Sequence, residues 1–255
     1  MTLDGRVALV TGGGRGIGRA ISLALAEDGA AVAVNWRRDE DAAAATVAEI
    51  EQRGGRAAAY RASVDSFEEC SAMVGAVLAD FGQVDILVNN AGLASRGKSV
   101  VSTEPEEIER LVATHAFGSF HLCHLLVAQM RERPRGDVIF VSSQATTHMA
   151  GWSSPYNMAK AAQEALAMTL AKEEVGNGIR VNVVAPGLVD TEMGRRLVKG
   201  AAGVEDIRTL DQAMPFGRVT APEDVAAVVR FLVSDAGTLV TAQRIGVDGG
   251  GMPTR

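Results

Sequence analysis

About seven short apolar runs, most of them rich in β-branched residues, recur along this chain. A helical segment lies between each run and the next, and several of these segments close on glycine. The runs fall at residues 6–10, 31–34, 56–62, 84–88, 138–141, 179–184 and 244–247. Helical spacing covers residues 16–28, 40–53, 67–81, 155–175 and 222–233. Gly29, Gly54, Gly82 and Gly176 act as stops. Thr103, with Glu106 three residues later, has the spacing of a capping box at the head of a further long helix. Strands that alternate with helices predict an α/β fold: a doubly wound parallel sheet of about seven strands with helices on both faces. No linker or repeat divides residues 1–255, so one domain is expected. Residues 188–216 lack clear periodicity and suit a lid over a site.

Composition excludes several classes. Charged residues make up 22% and the net charge is −6, so the basic stripe that nucleic acid requires is not expected. Cys70 and Cys123 are the two cysteines and lack metal-ligand spacing, so both read as buried small residues in a reducing compartment. Met1-Thr2-Leu3-Asp4 carries no basic leader, which points to the cytoplasm. Residues 111–130 contain no Asp, Glu, Lys or Arg, near the length of a membrane span. Thr114, His115, Ser119, His121 and His124 make the stretch too polar for lipid, so a buried or interfacial helix is expected.

The first run leads into Thr11-Gly12-Gly13-Gly14-Arg15-Gly16-Ile17-Gly18 just as a helix begins. Gly12, Gly16 and Gly18 leave room for a ligand to approach the backbone. The helix start offers free N–H groups and a positive dipole end, which together suit a pyrophosphate. The spacing is GxxxGxG and differs from the GxGxxG dinucleotide fingerprint. Farther along, Tyr156 and Lys160 stand four apart on one helical face, and Ser143 precedes the Tyr by thirteen residues.

These motifs, with Asn89-Asn90-Ala91-Gly92 after the fourth strand and Pro186-Gly187 after the sixth, resemble the short-chain dehydrogenases/reductases. The match runs in order from about residue 5 to 251 and is most similar to the 3-oxoacyl-acyl-carrier-protein reductase-like members. The resemblance implies a Rossmann-like fold and a nicotinamide cofactor that supplies hydride. It implies that Tyr156 is the acid/base, that Ser143 polarises the reacting oxygen, and that Lys160 binds ribose and lowers the Tyr pKa. Gly12, Arg15, Gly16, Ile17, Gly18, Asn90, Ala91, Gly92, Pro186, Gly187, Val189 and Thr191 become cofactor contacts. A homodimer or homotetramer is implied, with a small carbonyl or alcohol substrate and neither nucleic acid nor membrane as partner.

Three departures qualify the pattern. Trp36 stands where an NAD-selective carboxylate is expected, and Arg37 and Arg15 lie close by, which favours NADP(H) over NAD(H). Ser63-Val64 replaces the family's Asp-Val beside the adenine, leaving a weaker acceptor. Thr114-His115 replaces Thr-Asn, so His115 either takes over a proton relay near an ordinary pKa of about 6.5 or is a neutral packed side chain. A nicotinamide-binding regulator with little turnover is the alternative reading. His121 and His124 read as packing or interface, with no metal expected. His148 and Trp152 border the substrate pocket or merely pack in their loop.

Overall fold

The computed structural model describes residues 2–251. The strands are β1 (Val7–Val10), β2 (Ala31–Trp36), β3 (Ala57–Arg61), β4 (Ile86–Asn89), β5 (Gly136–Val141), β6 (Ile179–Pro186) and β7 (Arg244–Val247). They form one sheet in the order β3-β2-β1-β4-β5-β6-β7, and every pairing is parallel. The helices are α1 (Gly16–Glu27), α2 (Glu40–Gln52), α3 (Phe67–Phe81), α4 (Pro105–Val112), α5 (Gly118–Met130), α6 (Ala145–His148), α7 (Ser154–Glu174), α8 (Glu192–Ala202) and α9 (Pro222–Val233).

Strands β1, β4, β5 and β6 are buried throughout and β2 along its four central residues, which is why they read as apolar runs. Leu9, Leu87, Val138 and Phe140 point into one core with Val77 of α3, Leu126 of α5 and Leu170 of α7. Their neighbours Val10, Val88, Ile139 and Val141 point the other way, onto Ile21 and Leu25 of α1, Ile50 of α2 and Val229 of α9. This period of two sorts a continuous hydrophobic strand into two separate cores.

One expectation changes. The capping box at Thr103 does not form: its hydroxyl donates to the Ser99 carbonyl at 2.8 Å, and α4 begins at Pro105 behind Glu104. Proline suits that place because its missing N–H would have no helical partner. The charge-poor stretch is a largely buried helix, as expected, with one irregularity. A π-helical turn, Ala113–Phe117, separates α4 from α5. By length and composition Pro105–Met130 passes for a membrane span, yet Leu111, Leu122, Leu126 and Met130 are buried within the protein.

Candidate active site

Parallel strands deliver all their C-terminal ends to one edge of the sheet, and order reversal between β1 and β4 opens a crevice there. Register aligns Val10 with Val88, Asn89 with Phe140 and Val141 with Val184, so the loops that follow meet. The glycine loop is held from below by buried Asn35. Its side-chain oxygen accepts from the Gly12 N–H at 3.2 Å and its carbonyl from the Gly13 N–H at 3.0 Å. Gly12 has φ +60°, and a Cβ on Gly18 would lie 2.2 Å from the Gly12 carbonyl oxygen. Only glycine closes this turn. Arg15 is the N-cap of α1 but offers no side-chain cap, and the first turn carries no acid. Its amide donors and dipole therefore suit an external anion, and the loop fits a pyrophosphate.

The loop after β4 is fastened to the glycine loop. Asn90 Nδ2 donates to the Thr11 carbonyl at 2.8 Å, and Thr11 Oγ1 accepts from the Asn90 and Ala91 amides at 2.8 and 2.9 Å. Gly92 meets His115: a Cβ there would lie 2.6 Å from His115 Cε1. The His115 ring is buried, with Nε2 2.9 Å from the Leu93 carbonyl and its edge against Tyr156 at 5.4 Å between centroids. Burial first, then the charge of Lys160, pushes its pKa down to about 3. This shift favours the neutral ring over the imidazolium that a proton relay would use. Gly92→Ala is expected to cost roughly 1–3 kcal/mol by overpacking. Thermal melts and turnover should recover in Gly92→Ala/His115→Asn, where the obstructing ring is absent. Additive losses in the double variant would place the strain elsewhere.

Ser143 follows β5 and Tyr156 lies in the first turns of α7. The Ser143 hydroxyl accepts from the Ala145 amide at 3.1 Å, and its influence on the Tyr156 phenol pulls the phenol pKa down. Burial is the larger influence and raises it. Lys160, whose lowering of the Tyr156 pKa the resemblance implies, is not among the influences on the phenol here. Lys160 Nζ turns instead to the Val141 carbonyl at 2.6 Å and to Gln163 Oε1 at 3.0 Å, and stands 6.0 Å from the Tyr156 ring centroid. Burial brings the Lys160 pKa down to about 7, with the Glu164 carboxylate acting in the opposite direction.

At the far end of the crevice Trp36 ends β2, with the Arg61 guanidinium 5.8 Å from its ring centroid. Arg37 lies 3.7 Å from Asp65, while Arg15 lies 3.1 Å from Glu192 and 4.0 Å from Asp39. The arginines thus have carboxylate neighbours, all on partly exposed side chains. Ser63 donates its hydroxyl to Asp65 and its amide to Glu69 at 2.8 Å; Val64 is buried. Gly187 donates to the Val247 carbonyl at 3.1 Å, and the Pro186 carbonyl accepts from the Gln144 amide at 2.8 Å. Val189 is buried, and Thr191 caps α8 by accepting from the Gly194 amide at 3.0 Å. The Thr191 methyl lies 3.3 Å from where a Cβ on Gly16 would stand.

The aperiodic stretch 188–216 is more ordered than its sequence implies. It contains α8 and a 3-10 segment, Ile207–Ala213, over a small core of Val198, Ile207 and Val219. His121 and His124 pack edgewise and tilted on Phe67, and His121 Nδ1 lies 3.0 Å from the Val64 carbonyl. His148 and Trp152 are exposed, and Trp152 holds φ +57°. A groove of about 880 Å³ lies at the opposite edge of the sheet, lined by Asp4, Gly29, Ile50, Arg53, Arg56 and Gln83. It precedes the strands, whereas parallel sheets bind ligands beyond the strand ends.

Several residues at the site escaped the sequence reading. Arg244 Nη2 donates to the Ser143 carbonyl at 3.1 Å, while Glu164 accepts from Ser142 at 2.6 Å, Thr146 at 2.8 Å and Arg244 at 3.1 Å. This cluster pins the Ser143 turn to α7 and β7. Glu164 and Gln163 were legible in principle, since they lie four and three residues beyond Lys160. Arg244 had no local signal.

A glycine turn shaped for a pyrophosphate, beside a Ser, Tyr and Lys at one sheet edge, defines a dinucleotide-dependent oxidoreductase. A family model described as enoyl-(acyl carrier protein) reductase matches residues 12–251. The chain is 36% identical to the 3-oxoacyl-[acyl-carrier-protein] reductase of Synechocystis over 250 residues, 97% of each chain. It is 38% identical to the acetoacetyl-CoA reductase of Rhizobium meliloti over 245 residues, 96% of this chain and 98% of that one. A short chain dehydrogenase from Burkholderia cenocepacia, solved in complex with NADP, superposes with a TM-score of 0.88 at 32% identity, covering 98% of both chains. NAD+-bound xylitol dehydrogenase gives 0.91 at 28% identity, covering 98% of this chain and 100% of that one. The protein belongs to the short-chain dehydrogenase/reductase family.

Proposed function

We propose that this enzyme is an NADP(H)-dependent reductase of a ketone or β-keto group, running in reverse as a secondary-alcohol dehydrogenase. The observation that carries the reading is that Ser143, Tyr156 and Lys160 lie at the sheet edge that also carries the uncapped start of α1. The bound nicotinamide supplies the hydride. Tyr156 donates its phenolic proton to the carbonyl oxygen, or removes it from the alcohol. The Ser143 hydroxyl donates a hydrogen bond to the same oxygen as charge grows on it. Lys160 offers its ammonium to the cofactor ribose. Gly12, Gly16, Ile17 and Gly18 face the pyrophosphate; Ser63 and Val64 border the adenine; Asn90, Ala91 and Gly92 line the ribose; Pro186, Gly187, Val189 and Thr191 hold the nicotinamide end. Residues 188–216 close over the substrate, with His148 and Trp152 at its rim. His115 acts as a neutral support for the Tyr156 ring.

NADP(H) preference is read from Trp36 in place of a carboxylate and from Arg37 and Arg15. A charge-assisted hydrogen bond to a phosphate is worth about 1.5–3 kcal/mol before screening. Arg37→Ala should therefore reduce the NADPH-over-NADH ratio of kcat/KM by about tenfold or more. An unchanged ratio removes Arg37 from that role. Assembly with further copies of the chain is supported by Phe67, Phe117, Phe120 and Met158, which are exposed beyond 45%. Size-exclusion chromatography with light scattering tests it.

The deciding experiment follows NADPH and NADH consumption against a panel of carbonyls that begins with an acetoacetyl thioester. NADPH-selective turnover supports the reading; no binding of either cofactor defeats it. His115, whose burial disfavours the imidazolium, favours one other reading, a cofactor-binding regulator with little turnover. That reading requires tight NADPH binding, a silent panel, and a rate gained on His115→Asn.

A further inference from the structure

We infer that Gln163 is a positioning residue for Lys160, its amide held by Ser119 so that its oxygen fixes the ammonium against β5. The inference rests on the role proposed above for Lys160. Gln163 lies three residues beyond Lys160 on α7 and is completely buried. A buried amide needs partners at both ends. Its Nε2 donates to Ser119 Oγ at 2.8 Å, and its Oε1 accepts from Lys160 Nζ at 3.0 Å. The Ser119 hydroxyl donates its only proton to the His115 carbonyl at 2.7 Å, in the π-helical turn. Ser119 can then only accept from Gln163, so the amide must present nitrogen to Ser119 and oxygen to Lys160. The orientation of the amide is thus set by the turn two partners away.

The consequence falls on the lysine. An ammonium has three donors. Val141 and Gln163 take two, and one is left for the crevice where Tyr156 stands. The Gln163 oxygen also favours the charged amine in a site whose burial disfavours it. The other groups facing Lys160 are few. Tyr156 and Glu164 lie on its own helix, and Glu164 is engaged by Ser142, Thr146 and Arg244 of β7. His115 faces it from the π-helical turn and is neutral. From β5 comes only the Val141 carbonyl, and from α5 only Ser119 through Gln163.

The test reads the lysine directly and needs no substrate. Lys98, Lys160, Lys172 and Lys199 are the chain's lysines, so 13Cε-lysine NMR of the full-length protein resolves each, with Lys160→Arg assigning the signal of interest. The Lys160 midpoint is expected near 7 in the unaltered protein. Gln163→Leu should lower it by about one pH unit, a tenfold loss of ammonium over amine, and Gln163→Glu should raise it by about as much. Ser119→Ala should move it in the Leu direction. If the Leu variant does not fold, the opposed shifts of Gln163→Glu and Ser119→Ala carry the same information. Identical midpoints in these variants overturn the inference, since a residue that only fills space does not move a titration in opposite directions with charge. In turnover, the loss of kcat with rising pH should begin about one unit lower in Gln163→Leu. Undiminished activity of Tyr156→Phe would instead defeat the proposed chemistry and leave the lysine titration standing.

Discussion

Tyr156→Phe is expected to lower kcat by about 10²–10⁴-fold, the range that a positioned general acid supplies. The substitution removes one oxygen and keeps the ring. The edge contact with His115 at 5.4 Å therefore survives, as do the α7 backbone and the hold of Val141 and Gln163 on Lys160. Cofactor affinity should stay nearly constant, because the glycine loop and the β4 loop do not touch the phenol oxygen in this arrangement. A fall in kcat with cofactor affinity intact is the signature of an interaction made chiefly in the transition state. The sign of the phenol pKa matters here. Burial raises it and Ser143 lowers it, with burial the larger influence. The protonated phenol is thereby kept as a donor, which suits reduction of a carbonyl. Ser143→Ala should fall in the same direction, since it takes away both the lowering influence on the Tyr156 phenol and the donor to the oxygen. Stopped-flow consumption of NADPH and equilibrium fluorescence of bound NADPH separate the two quantities. Loss of binding in step with loss of rate would show that the phenol supports the site rather than the reaction.

Asp137→Asn is expected to destabilise the fold by about 3–5 kcal/mol, which for a chain of this size lowers Tm by about 10 °C. Asp137 lies on β5 and is 1% exposed. Its carboxylate receives Arg6 at 2.7 Å, Arg180 at 2.6 Å and Arg135 at 3.2 Å. Three cations held around one buried anion are tolerable only while the anion is present. The neutral amide leaves their charge in a low-dielectric site with little to offset it. Arg6, Arg135 and Arg180 tie β1, the loop before β5, and β6 at the edge of the sheet opposite the crevice. The loss should therefore appear in thermal and urea unfolding and leave the kcat of the folded enzyme within about twofold. A Tm within about 2 °C of the original would mean that the Val233 and Ser234 carbonyls and Asp235, which also receive Arg135, suffice for the cluster.

How much of this was readable beforehand differs by scale. The α3, α9 and β7 bounds agree with the sequence reading residue for residue, because each is marked locally: Gly82 closes α3, and Pro222 opens α9. Other elements shift by one to a few residues, as with β6, which runs on to Pro186. Its last residues gain pairing from β7, a neighbour far away in sequence. The stretch 188–216 read as aperiodic because its helix packs on the three-residue core of Val198, Ile207 and Val219 and presents only a narrow apolar stripe. Thr103 carried the sequence mark of a cap, but the Ser99 carbonyl competed for its hydroxyl and Pro105 set the start.

The parallel α/β layout, the glycine turn and the side chains available for chemistry were all legible along the chain. These follow from local patterns: apolar runs, helix stops, and residues four apart on one helical face. Tertiary structure decided what those side chains do to one another. Burial, which no local spacing records, made His115 neutral, raised the Tyr156 phenol and lowered the Lys160 amine. Partners brought from other elements, Ser119 from α5 and Arg244 from β7, set the direction of the Gln163 amide and the hold on the Ser143 turn. A pKa and a hydrogen-bond direction depend on the dielectric and on donors arriving from distant strands and helices. Those quantities exist only once the chain has folded.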